Sequence, residues 1–136
     1  MSRTEIAALG EFGLIRRLTE KFPITNASTV KGVGDDAAIL DYGTKQVLVT
    51  TDLLLEGVHF DLVYVPLKHL GYKAAVVNFS DIYAMNGRPK QITVSLGVSK
   101  RFSVEDLEQI YEGLSVACQH YGVDLVGGDT SASLTG

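Results

Sequence analysis

Five aspartates of this 136-residue chain sit in four short segments between apolar runs: Gly34-Asp35-Asp36, Thr50-Thr51-Asp52, Asp81 and Gly127-Gly128-Asp129-Thr130. Carboxylates drawn together from distant points of a chain repel one another unless cations lie between them. Neighbouring hydroxyls and glycines suit hard, oxygen-preferring ions and the phosphates such ions carry. The pattern points to a magnesium-dependent phosphoryl-transfer site, or to one domain's share of it.

Each segment also has a plainer reading. Gly34-Asp35-Asp36 reads equally as a turn whose aspartates accept backbone N–H groups, and Asp52 as a helix cap behind two β-favouring threonines. Asp36 directly precedes Ala37-Ala38-Ile39-Leu40, so a carboxylate there stands at the edge of a core and needs a partner. Asp81 has Val77, Phe79, Ile82 and Met85 around it and only Asn78 and Ser80 as polar company. Ligation or a buried polar network explains that sparse setting better than solvation. Gly127-Gly128-Asp129-Thr130 reads as a tight hairpin turn, or as backbone that approaches a polyphosphate while Asp129 holds its metal. His59, beside Phe60 in a loop with Glu56 and Gly57, is a surface histidine or a substrate contact; Tyr111 is a core residue or a platform for a nucleobase. His69 and His120 read as structural.

The elements that must position these residues follow from periodicity. Residues 1–8 read as a flexible arm. Leu9, Phe12, Ile15 and Leu18 recur every three residues, an amphipathic helix that ends before Pro23. Residues 24–33 read as loop, and Ala37–Leu40 as a short strand before the turn Asp41-Tyr42-Gly43. Gln46–Thr51 is the clearest β segment of the first half and reads as a central strand. The long connection 53–66 is of a length that is either functional or poorly ordered in compact domains. Pro66 suits a first helical position, and the helix behind it carries Asn78 and Asp81 on one face and closes at Asn86-Gly87. Gln91–Val98 alternates as a half-buried strand, Ser103 to Asp106 has the form of a capping box, and Leu107, Ile110, Leu114, Ala117 and Tyr121 trace the next helix. Val123–Val126 is a short strand leading into the glycine-aspartate turn. The expected class is α+β, a mixed or mainly antiparallel sheet covered by helices rather than a run of βα units. The tail from Ser131 alternates like the beginning of a strand, which points to a chain lacking a second, C-terminal domain.

Composition narrows the functions. A chain 46% hydrophobic and 21% charged supports a folded core. A net charge of −4 offers nucleic acid no general attraction, and no apolar run is long enough to span a membrane. The N-terminus is no secretory signal, and the single Cys118 reads as a small buried hydrophobe; a cytoplasmic setting is expected. No phosphate-binding loop of the Walker type, kinase-like glycine loop or cysteine–histidine zinc site is present in the sequence.

Taken together, these motifs resemble the thiamine-monophosphate kinase family, within a wider group of ATP-using enzymes that includes aminoimidazole-ribonucleotide synthase and selenophosphate synthetase. The segments that carry the likeness are Gly10–Ile15, Gly32–Ala38, Thr50-Thr51-Asp52 with Glu56–Phe60, Lys73–Gly87, and Gly127–Thr130. The resemblance implies transfer of the γ-phosphoryl group of ATP to thiamine monophosphate, with several Mg²⁺ ions neutralising crowded phosphates. Asp36, Thr50, Thr51, Asp52, Asp81 and Asp129 match the family's metal ligands, Asp52 and Asp81 as bridging carboxylates, while Asp35 adjoins a ligand. Tyr111 and Gly128 match ATP-contacting positions, and His59 a position that touches the thiamine phosphate. The family's N-terminal domain also dimerises, strands of both subunits closing a shared barrel, so a homodimer is expected. Two alternatives stand beside this reading: a sibling enzyme with a different acceptor, or a non-catalytic metal-binding or dimerisation module.

Overall fold

A computed structural model describes residues 5–134. After a 3-10 turn at Ile6–Ala8 come α1 (Gly10–Thr19), β1 (Thr29–Lys31), β2 (Ala38–Asp41), β3 (Gln46–Val49), α2 (Leu67–Ala84), β4 (Gln91–Val98), α3 (Val104–Tyr121) and β5 (Asp124–Ala132). Residues 1–4 of the expected flexible arm lie outside the described residues, and Ile6–Ala8 are ordered into a turn instead.

The strands form an antiparallel three-stranded sheet in the order β1-β2-β3 and a parallel pair, β4-β5. The expected mixture of sheet and helix is present, and its parallel part is one βαβ unit, β4–α3–β5. Three local expectations need correction. Residues 29–31, read as loop, are a strand because Thr29 pairs with Leu40 and Asp41 donates its N–H to the Ser28 carbonyl. β3 ends at Val49 and lies at the edge of its sheet, with Val47 and Val49 exposed, where a central strand was expected. Gly127-Gly128-Asp129-Thr130 is not a turn. It lies inside β5, paired residue for residue with Thr93–Leu96 of β4.

The core is made by α2 and α3 lying against each other and against β4. Ala75, Phe79, Leu114, Ala117 and Val123 are buried at its centre, with Ile92 and Val94 of β4 packed against them. Glycine decides how closely the helices approach. A Cβ on Gly71 would stand 1.8 Å from the Ile110 carbonyl oxygen, and one on Gly113 would stand 1.8 Å from that of Lys68. α3 is fixed at both ends as its sequence requires. Ser103 and Asp106 complete a reciprocal capping box, and Gly122 takes the left-handed C-cap with φ 67°. α2 stops where Asn86 enters the left-handed region at φ 58°. Cys118 is half-buried against the core, and that burial pushes its thiol pKa up.

Much apolar surface is left open. The accessible area is 10291 Å², against about 6,900 Å² for a folded monomer of 14.7 kDa. Phe12 and Leu18 of α1, Val47 and Val49 of β3, and Leu53 and Val58 of the long connection all face solvent.

Candidate functional site

The site forms where the end of β3 meets the last turns of α2. β3 delivers Thr50 and Asp52 just beyond its final residue, and α2 presents Asp81 three residues before its end. The Thr50 hydroxyl donates to the backbone carbonyl of Asp36 at 2.8 Å, which ties the 34–36 turn to the end of β3. It also lies 3.5 Å from Asp81 Oδ2. Three of the four acidic segments are thereby joined through one hydroxyl.

The electrostatics of Asp81 tell what the site lacks. Its pKa is pushed up, first by burial, then by the charge of nearby Asp52, with Thr50 giving only a partial counterweight. Asp81 also lies in the last turn of a helix that carries no basic residue there, so the helix dipole adds to its discomfort. Two carboxylates, a hydroxyl and nearby backbone carbonyls make an all-oxygen donor set with an unbalanced negative charge. That set fits a hard divalent ion such as Mg²⁺, which takes one or two carboxylates and completes its shell with water and phosphate. Among the described residues no three histidine, cysteine, aspartate or glutamate side chains stand close enough to hold an ion by themselves.

The remaining site residues have distinct surroundings. Asp35 is engaged by Lys31, whose ammonium forms an ion pair with it, and its other oxygen accepts the Asp36 N–H at 2.9 Å. This pairing holds the Asp35 carboxyl below the usual range. The Asp36 side chain is left exposed beside the buried Ala37, and Thr51 is exposed too. Asn78, expected to share a polar face with Asp81, donates its amide to the Ala74 carbonyl at 2.9 Å. Asp129 stands on exposed β5, opposite Ser95, with Ser131 Oγ 3.5 Å from its carboxylate. Gly128 has φ 157°, and a Cβ there would stand 1.9 Å from the Val94 carbonyl oxygen, so this position of β5 admits only glycine. Tyr111 is half-buried on α3 and lines an open groove of about 900 Å³ with Cys118, Gln119 and Asp124.

The 53–66 connection is well built rather than loose. The Leu55 carbonyl accepts the N–H groups of Val58 and His59, and Gly57 donates to the Phe60 carbonyl at 2.7 Å. A second turn is closed by Asp61, whose side chain accepts the Val63 N–H. Beneath the connection lies a cavity of about 600 Å³, walled largely by apolar residues of α2, β4 and α3, with Asp52 and Asn78 on its polar margin. His59 Nδ1 accepts the Leu55 N–H at 2.9 Å, and the His59 carbonyl accepts the Lys73 ammonium at 2.7 Å. Glu56 is paired with Arg101. Sequence reasoning missed Lys73 and Arg101, since neither partnership has a short-range spacing that could reveal it.

Residues 34–136 match the model of the family described as AIR synthase related protein, N-terminal domain. The chain belongs to that family. It is 41% identical over 125 residues to the thiamine-monophosphate kinase of Aquifex aeolicus (strain VF5), covering 92% of this chain and 39% of that protein. With the thiamine-monophosphate kinase of Bacillus subtilis (strain 168) it shares 42% identity over 125 residues, covering 90% and 38%. The solved structure of AaThiL complexed with AMPPCP and TMP superposes with a TM-score of 0.85 at 37% identity, over 98% of this chain and 41% of that one. The resemblance drawn from the motifs is therefore borne out, and so is the mixed sheet-and-helix fold it implied. The chain spans about two fifths of the length of the curated relatives it matches.

Proposed function

We propose that this chain forms the nucleotide- and metal-binding part of an ATP-dependent kinase that converts thiamine monophosphate to thiamine diphosphate. The observation that carries the reading is the convergence of Asp81, Thr50 and the Asp36 carbonyl at one hydroxyl, with Asp52 near enough for its charge to push the half-buried Asp81 carboxyl up. Its support from relatives is that similar chains are thiamine-monophosphate kinases, and that a solved relative is complexed with AMPPCP and TMP.

Asp52 and Asp81 would bridge the Mg²⁺ ions, with Thr50, Thr51, Asp36 and Asp129 as further ligands. Bound there, Mg²⁺ supplies charge neutralisation for the crowded phosphates. The acceptor is itself a phosphate, so its oxygen attacks in line without a strong base, and the chain's work is to hold two anions in register. Gly128 and Tyr111 would contact ATP, and His59 the thiamine phosphate. The open apolar surface and the free edge of β3 support a homodimer whose strands complete a barrel. A cytoplasmic setting fits a substrate pair of this kind.

The test is turnover by the intact protein with Mg²⁺, ATP and thiamine monophosphate, read as thiamine diphosphate formed. ATP consumed with another acceptor, and no thiamine diphosphate, would move the assignment to a sibling activity. Neither turnover nor Mg²⁺-dependent ATP binding would leave a structural module.

A further inference from the structure

His59 is built into a closed turn whose two outer tethers come from different elements. Inside the turn, His59 N–H and Val58 N–H both reach the Leu55 carbonyl, and the Leu55 N–H returns to the His59 ring at Nδ1. An imidazole nitrogen that accepts a hydrogen bond carries no proton, so the neutral ring carries its proton on Nε2. The tautomer is thus set by a backbone donor, and the outward nitrogen is a hydrogen-bond donor suited to a phosphate oxygen. From outside, Lys73 Nζ holds the His59 carbonyl at 2.7 Å, and Arg101 holds Glu56 from the segment after β4.

Lys73 and Asp81 stand on the same helix, eight residues apart, which is about 12 Å along the axis. The last turn of α2 therefore meets the carboxylate pair, and Lys73, two turns nearer its start, grips the turn that carries His59. α2 is itself packed closely against α3 through the glycine crossing at Gly71 and Gly113.

We infer that Lys73 is a positioning residue: it latches the 55–60 turn to α2 so that the His59 Nε2–H donor stands at a fixed distance from the Asp52–Asp81 site. The inference rests on the reading above, in which His59 meets the phosphate of the acceptor. The role assigned to Lys73 runs through its hydrogen bond to the His59 backbone carbonyl.

The experiment compares the intact protein with its Lys73→Met and Lys73→Arg variants by amide hydrogen exchange, ¹⁵N spectra of the imidazole, and titration with thiamine monophosphate and with Mg²⁺–ATP. Lys73→Met is expected to speed exchange at Leu55 and His59 about tenfold and to weaken thiamine monophosphate binding by about the same factor, since one charge-assisted hydrogen bond is lost. The His59 ring should then sample both tautomers, Mg²⁺–ATP affinity should change less than about twofold, and Lys73→Arg should restore the exchange pattern. Unchanged protection and tautomer in Lys73→Met would overturn the inference, as would equal losses for both ligands. Should the unaltered protein fail to bind thiamine monophosphate, the substrate reading falls. Exchange and tautomer then decide the latch on their own.

Discussion

The α2–α3 crossing sets the position of Asp81, and it can be tested with one methyl group. In Gly113→Ala the new Cβ would lie 1.8 Å from the Lys68 carbonyl oxygen and 2.8 Å from the Tyr72 nitrogen, where ordinary contact begins at 3.4 Å. Both neighbours are backbone, so no side chain can swing aside and the helices must separate locally by about 1.6 Å. Overpacking of this kind costs about 1–3 kcal/mol and sometimes more. Alanine returns about 1 kcal/mol through its better helix propensity. Steric cost at or above the upper end of that range leaves a net loss of about 2 kcal/mol. For a chain of 136 residues that lowers Tm by about 7 °C. Gly71→Ala meets the Ile110 carbonyl in the same crossing and should cost a similar amount, but the double variant should lose less than the sum, because one separation relieves both clashes. Thermal unfolding followed by circular dichroism measures all three. A Tm equal to or above that of the unaltered chain would mean that propensity alone governs these positions and that the helices do not touch there.

Three further outcomes follow from the site. Asp81 has a raised pKa, so the folded state binds its proton more tightly than the unfolded chain does; its contribution is most favourable in acid and is lost as pH rises through the folded pKa. Asp81→Asn should therefore raise the Tm of the metal-free protein at neutral pH while abolishing any stabilisation by Mg²⁺; a lower Tm in chelator would contradict the strain argument. Asp35 has the opposite sign: Lys31 depresses its pKa, so the benefit holds above the ordinary carboxylate value and disappears as pH falls through the depressed one. Lys31→Met should move the Asp35 carboxyl resonance titration upward toward that ordinary value in NMR, and an unmoved midpoint would show that the pair does not form in solution. Gly128→Ala, with φ 157° and the Val94 carbonyl in its way, should strip exchange protection from the β5 amides and weaken nucleotide binding about tenfold or more; intact protection would place this strand pairing in error.

The helices were legible because their signals are local. Ser103 and Asp106 announce α3 by a capping box, Pro66 and Asn86-Gly87 bracket α2, and the apolar spacing fills in the rest. The strands were less so. Thr29–Lys31 is too short and too polar to declare itself and becomes a strand only through pairing with β2. Gly127-Gly128-Asp129-Thr130 carries the composition of a turn, yet parallel pairing with β4 overrides it, and Gly128 serves close backbone approach instead. An apolar run such as Gln46–Val49 cannot by itself separate a central strand from an apolar edge. At the site, residue type and motif resemblance pointed to Asp52 and Asp81, whereas the Thr50 link to the Asp36 carbonyl and the Lys73 link to the His59 carbonyl each span 14 residues and exist only in three dimensions.

In the proposed function, acidic segments far apart in sequence converge on a divalent ion and the phosphates it carries. Calorimetric titration of the intact protein with a non-hydrolysable ATP analogue, with Mg²⁺ and with chelator, tests it most directly alongside Asp52→Asn. Saturable binding that requires Mg²⁺ and is lost in Asp52→Asn, with the melting curve kept, is the predicted result. Binding of equal strength in chelator, or an Asp52→Asn protein that binds as tightly as the unaltered one, would contradict it.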